Sequence, residues 1–133
     1  IAQCAAELKA QGRTMAEYLD EIADLYGFHA TEQISIRVAD IAQVDTVLAR
    51  LRATPPSSLA GNALTQIDDL LVPKDGLPPT NGLRYWFGPH IRIIIRPSGT
   101  EAKMKCYIEV CAPKSEASEL LATISHEMKA ILQ

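Results

Sequence analysis

The 133-residue sequence predicts an α+β domain, a mainly antiparallel sheet with helices packed on one face. Three observations carry this reading. Residues 83–111 hold three strand signals in close order. An alternating apolar segment at 34–38 stands apart from them, with a helical stretch following it. Residues 115–132 are amphipathic at helical spacing.

The elements follow in order. Ala-rich residues 2–10 read as a helix broken near Gly12. Residues 14–26 read as a second helix, opened by a capping box in which Thr14 and Glu17 each satisfy the other's free backbone N–H. Met15, Tyr18, Leu19, Ile22 and Tyr26 share its apolar face, and Gly27 supplies the stop. Ile34, Ile36 and Val38 mark a half-buried strand. Asp40 can cap a helix carrying Ile41, Val44, Val47, Leu48 and Leu51, which ends in the loop 54–58. Residues 64–72 give a weaker strand signal, and 73–80 a loop punctuated by Gly76, Pro78 and Pro79. Strands follow at 83–87, 90–96 and 104–111, the first two joined by a tight turn at Gly88-Pro89. The closing helix keeps Ala117, Leu120, Leu121, Ile124, Met128 and Ile131 in register. Residues 1–30 are expected to be a connector or the tail of a preceding domain, and 31–133 the domain proper. The chain opens on Ile1 and not on Met, which reads as a trimmed or excised segment.

Composition narrows the function. Hydrophobic residues make up 47%, enough for a core. No apolar run approaches the roughly 20 residues that span a membrane. Cys4, Cys106 and Cys111 form no CxxC pair and no Cys/His metal spacing, so a reducing, cytoplasmic setting is expected. Cys106 and Cys111 would face opposite sides of a strand and read as apolar filler. Net charge is −3, which gives no support to nucleic-acid binding. Residues 84–106, however, set Arg84, Arg92, Arg96, Lys103 and Lys105 against Glu101 alone. A basic focus on an acidic chain points to a small anionic ligand.

The stretch Arg96-Pro97-Ser98-Gly99-Thr100-Glu101-Ala102-Lys103 lies between two strands and can bind a phosphate. Gly99 lets the backbone approach and present N–H groups. Ser98 and Thr100 can donate hydroxyl hydrogen bonds, and Arg96 a bidentate fork. The same residues also make an ordinary turn, and periodicity does not decide whether Arg92, Ile94 and Arg96 face core or solvent. His90 follows the hairpin turn and could lean toward a ligand. Trp86 alternates with Tyr85 and Phe87 and so faces away from them. His29 and His126 are read as plain surface residues.

The run 93–101, followed by Lys103-Met104-Lys105, closely resembles the final phosphate loop of bacterial α-D-phosphohexomutases. Gly76 to Thr80 and Gly82 to Phe87 resemble the approach to that loop in the phosphoglucomutase/phosphomannomutase branch. The similarity is strong over 76–111 and weaker over 14–72. Ala102 departs from the family, where Pro is usual. The resemblance implies a C-terminal, TATA-box-binding-protein-like domain of a four-domain enzyme. Such a domain grips the non-reacting phosphate of a hexose phosphate while phosphate moves between O1 and O6. By position, Arg96, Ser98, Gly99 and Thr100 form that grip, with Lys103 and Lys105 as second-rank candidates. Lys105 either contacts ligand or sits on a solvated face.

The family's phosphorylatable serine, its DGDGD-type Mg²⁺ loop and its GExSGH-type sugar loop do not occur in this sequence. Asp68-Asp69 and Asp75-Gly76 are isolated, whereas Mg²⁺ needs clustered oxygen ligands. The expectation is therefore no catalytic and no metal residue in this chain, with Mg²⁺ and a hexose bisphosphate intermediate belonging to the full-length isomerase. The expected partners are glucose or mannose phosphate and the preceding domains of the same enzyme, with no nucleic acid and no membrane. Glucosamine phosphate fits the run less well. A stand-alone α+β module binding a phosphorylated metabolite or a protein partner is the alternative.

Overall fold

Along residues 83–110 nearly every second side chain is apolar, and this alternation gives the sheet one dry face. The computed structural model describes residues 1–74 and 76–133. Asp75, half of one of the two isolated acidic motifs, lies outside the described residues. In chain order the elements are α1 (Ala2–Ala10), α2 (Met15–Tyr26), β1 (Phe28–Arg37), α3 (Ile41–Ala53), β2 (Ser58–Leu59), β3 (Asn62–Asp69), β4 (Leu83–Phe87), β5 (Ile91–Pro97), β6 (Lys103–Ala112) and α4 (Lys114–Leu132). The strands form one antiparallel sheet in the order β1-β6-β5-β4-β3-β2. The fold class is thus the α+β arrangement expected.

The dry face carries Leu83, Tyr85 and Phe87 of β4, Ile91, Ile93 and Ile95 of β5, and Met104, Cys106 and Ile108 of β6. Val44, Leu48 and Leu51 of α3 and Ile124, Met128 and Leu132 of α4 cover it. Each fully buried side chain of this size contributes about 1.5–3 kcal/mol relative to its exposed state. The Tyr85 hydroxyl donates to the Leu51 carbonyl at 2.9 Å, tying sheet to helix inside the core. Burial, above all, pushes its pKa up to about 12. Burial does the same for the Cys106 thiol, with help from the Glu32 charge, and also brings it to about 12. All three cysteines are free, and Cys106 is packed where an apolar residue would be.

Caps act as expected. Thr14 and Glu17 form the reciprocal box at α2, and Asp40 accepts from the Ala42 amide at α3. The apolar face expected on α2 is present but uncovered: Leu19 is 59% and Tyr26 75% exposed. No helix among the described residues is long and apolar enough to cross a membrane.

Three elements differ from expectation. β1 begins at Phe28, well ahead of the alternating segment 34–38 that marks it in the sequence. The signal is broken there by Glu32, a carboxylate in the row that faces the helices, which receives the Ser125 hydroxyl at 2.8 Å. The expected loop 54–58 runs into a two-residue strand, β2, which turns through Ala60 and Gly61, both with positive φ, into β3. β3 ends at Asp69, short of residue 72, and a bulge between Leu64 and Gln66 resets its alternation. The bulge sends Asp68 to the open face and Asp69 to the helix side.

Candidate anion site at the open face of the sheet

The face away from the helices is polar. Across it, cross-strand pairing sets Trp86 beside Arg92 beside Glu109, and Arg84 beside Ile94 beside Tyr107. This resolves the ambiguity left by periodicity, since Arg92, Ile94 and Arg96 all lie half-buried on this open face. Arg92 is paired with Glu109 and holds its guanidinium 5.6 Å from the Trp86 ring centroid. His29 contributes Nδ1 to the same carboxylate at 2.9 Å. These groups are mutually satisfied.

The end of the sheet where β5 passes into β6 is different. Arg96 is the second-last residue of β5 and Lys105 is its direct cross-strand partner. In the next row, Lys103 is opposite Arg37 at the end of β1. Like charges placed directly across a ladder are destabilising, and here two such pairs stand side by side. The one carboxylate among them is Glu101, 2.7 Å from Lys103 Nζ. That hydrogen bond, then the Lys103 charge, holds the Glu101 carboxyl below its usual range, and Arg37 and Lys105 add to the effect. Lys105 has no ion-pair partner among the described residues.

Residues 98–102 connect these rows. The Ser98 N–H donates to the Lys103 carbonyl at 2.8 Å and closes the loop, and the Ala102 carbonyl accepts from Val38 N–H at 3.1 Å. Ser98 is therefore an anchor: it is 6% exposed and its backbone donor is spent. Gly99 and Thr100 are exposed, and among the described residues their N–H groups and the Thr100 hydroxyl have no acceptor. A Cβ built on Gly99 meets nothing within 4 Å, and its φ lies outside the left-handed region. Neither packing nor backbone strain within the chain explains glycine there.

The Arg96 guanidinium is held by two hydrogen bonds. Its Nη2 donates to the Tyr107 hydroxyl at 2.9 Å, and its centre lies 5.4 Å from that ring's centroid. Its Nη1 donates to the Pro97 carbonyl at 3.3 Å. Tyr107 thus orients the fork, and its remaining N–H groups have no acceptor among the described residues. Gly82 has a different reason to be glycine: a Cβ there would lie 3.0 Å from the Ile95 carbonyl and 3.3 Å from Arg96 Cβ.

Of the residues named from sequence, Arg96, Lys103 and Lys105 come together on one face beside the Ser98–Thr100 loop. His90 does not join them. It lies in the turn before β5, whereas the loop follows that strand's far end. Trp86 faces the open side, as alternation requires, but two rows from Arg96. Sequence reasoning passed over Arg37, Tyr107 and Gly82. Tyr107 had a signal, since it alternates with Lys103 and Lys105. Arg37 had none, because its nearness depends on a pairing between strands 66 residues apart in sequence.

The carboxylates do not suit Mg²⁺. Asp68 is met by Arg84 at 2.8 Å, by Lys74 at 3.8 Å and by Gln66, while Asp69 faces the other way and is held by the Arg52 fork. Burial works against ionised Asp68, but the hydrogen bonds from Gln66 and Arg84 and the charges of Arg84 and Lys74 keep its pKa lowered. Hydrogen bonding from Arg52 is the main cause of the lowered Asp69 pKa. Two neighbouring carboxylates on opposite faces, each already paired with arginine, offer no oxygen cluster. Among the described residues no group of three or more metal-ligating side chains occurs.

Known proteins were compared with this chain. The family described as phosphoglucomutase/phosphomannomutase, C-terminal domain, matches residues 7–127. A probable phosphomannomutase of Haemophilus influenzae is 35% identical over 129 residues, spanning 95% of this chain and 26% of that protein. A phosphoglucomutase of Staphylococcus aureus is 28% identical over 127 residues, spanning 85% of this chain and 23% of its own length. The open-form crystal structure of pp63/parafusin, a phosphoglucomutase from Paramecium, superposes with a TM-score of 0.61 at 21% identity. It covers 90% of this chain and 22% of that one, and at that identity supports the fold alone. The chain spans about a quarter of the length of the curated relatives it matches.

Proposed function

The chain belongs to the phosphoglucomutase/phosphomannomutase family as its C-terminal domain, and from that premise we propose that it grips the phosphate of a hexose phosphate, glucose or mannose phosphate. The single observation that carries this reading is the pair of like-charged cross-strand contacts, Arg96–Lys105 and Arg37–Lys103, beside a loop whose exposed N–H groups lack acceptors. The N–H groups of Gly99 and Thr100 and the hydroxyls of Ser98 and Thr100 face the anion's oxygens. Arg96, held by Tyr107, supplies directed charge-assisted hydrogen bonds. Lys105 and Lys103 add positive charge from the neighbouring strand. On the family reading, the phosphate held is the one that does not react.

On this reading the whole enzyme is an isomerase that moves phosphate between O1 and O6. Its catalytic serine and Mg²⁺ site lie in other domains, a hexose bisphosphate is its intermediate, and this domain alone is inactive. The sheet with α3 and α4 is the phosphate-binding unit. α1 and α2 connect it to what precedes, and the uncovered apolar face of α2 supports a contact there. Three unpaired thiols suit a cytoplasmic setting.

Titration of the ¹⁵N-labelled chain with inorganic phosphate at constant ionic strength tests the grip. The Gly99 and Thr100 amides should shift together and saturably. Shifts confined to other regions would refute it.

A further inference from the structure

We propose that Arg37, on the edge strand β1, is a further anion-binding residue, so that the grip is built from β1 as well as from β5 and β6. This rests on the reading of the Ser98–Thr100 loop as a phosphate site and adds a residue from elsewhere in the chain. Four observations carry it. Arg37 is the cross-strand partner of Lys103, and both side chains project from the open face that Arg96 and Lys105 share. The strand ends there: the next N–H, that of Val38, donates to Ala102 O, which ties Arg37 to the exit of the loop. The Arg37 charge reaches Glu101, the loop carboxylate, and helps keep it ionised. Arg37 is exposed, and among the described residues its guanidinium has neither an ion-pair nor a hydrogen-bond partner.

The last point separates Arg37 from the other arginines of the open face. Arg84 is neutralised by Asp68 and Arg92 by Glu109, and Arg96 is hydrogen-bonded to Tyr107. Arg37 alone among them keeps its whole fork unengaged while standing opposite another cation. A dianion seated on the loop relieves the Arg37–Lys103 repulsion and accepts from a planar fork that needs little ordering. Glu101 serves in the meantime as the local counter-ion to Lys103, which keeps the patch tolerable in the empty domain.

The test is phosphate titration of four versions of the chain at fixed ionic strength, read at the Gly99 and Thr100 amides. Arg37→Gln should raise the phosphate Kd by about three- to tenfold, while Arg37→Lys keeps part of the affinity. Lys9→Gln on α1 makes the same change in net charge at an exposed side chain that shares no hydrogen bond or ion pair with the loop, and it should leave Kd within about twofold, because exposed charges without contact to the ligand are largely screened. Arg37 is exposed and its loss removes a like-charge pair, so the melting temperature of Arg37→Gln should be no lower than that of the unaltered chain. Equal Kd values for Arg37→Gln and Lys9→Gln, with the loop still responding in the unaltered chain, would overturn the role of Arg37 and leave the loop reading standing. Loop amides silent in the unaltered chain would overturn both.

Discussion

Gly99→Ala separates folding from binding because the structure assigns the two effects opposite signs. A Cβ at position 99 meets no atom within 4 Å, and the backbone there is outside the left-handed region. Folding therefore loses no contact and incurs no strain. The unfolded chain loses freedom, so the substitution should stabilise by about 0.4–1 kcal/mol, or roughly 2–4 °C in Tm for a chain of this size. Binding should go the other way. An oxygen accepting from the Gly99 and Thr100 N–H groups must come within van der Waals reach of Gly99 Cα, where the added methyl interferes. Losing one charge-assisted hydrogen bond costs about 1.5–3 kcal/mol, a ten- to hundredfold rise in phosphate Kd. A thermal melt and a phosphate titration of the same sample read both. Unchanged Kd with a raised Tm would remove the argument that glycine is there for the ligand. A lowered Tm would show that position 99 has a structural constraint of its own.

Three further outcomes are expected. In the polypeptide that carries this domain with its catalytic domains, Arg96→Ala should lower kcat/KM about ten- to a hundredfold, part of it as a raised KM, with little change in Tm; Arg96→Lys should recover only part, and a collapsed Tm with normal kinetics would make Arg96 structural. This chain by itself, assayed with glucose 1-phosphate and Mg²⁺ in a coupled reaction, should show only background, and genuine turnover would contradict the division of labour proposed above. Asp68 and Asp69 have folded-state pKa values below their ordinary ones, so their ion pairs contribute fully above the unfolded value, near 3.9, and are lost as pH falls through the folded values. Tm should therefore be level from about pH 7 to 5 and fall below about pH 4, and Asp68→Asn should lower Tm at neutral pH and flatten the acid decline.

Local chemistry was legible and long-range pairing was not. Thr14 with Glu17, Asp40 before Ile41, and Gly88 between two alternating strands are complete signals within a few residues, and each produced its cap or turn. The loop 98–102 was legible for the same reason. The first half of β1 was hidden because Glu32 interrupts the apolar alternation, and only α4, 93 residues on in the case of Ser125, explains why that carboxylate is tolerated. β3 misled because its bulge at Thr65 resets which residues face the core. The same bulge decides which of Asp68 and Asp69 faces the helices; that the two face opposite sides follows from strand alternation alone. The candidate site was half visible on these terms. Arg96, Lys103 and Lys105 lie within ten residues of one another, whereas Arg37 reaches them only because β1 pairs with β6 and not with its nearer neighbours in sequence.

On the proposed function this sheet end recognises the phosphate of a sugar and not the sugar itself. Parallel amide titrations with glucose 6-phosphate and with glucose test it most directly. Saturable shifts are expected at Gly99 and Thr100 with glucose 6-phosphate, reproduced by inorganic phosphate, and none with glucose at the same concentration. Equal shifts with both sugars, or glucose 6-phosphate shifts that leave Gly99 and Thr100 unmoved, would contradict it.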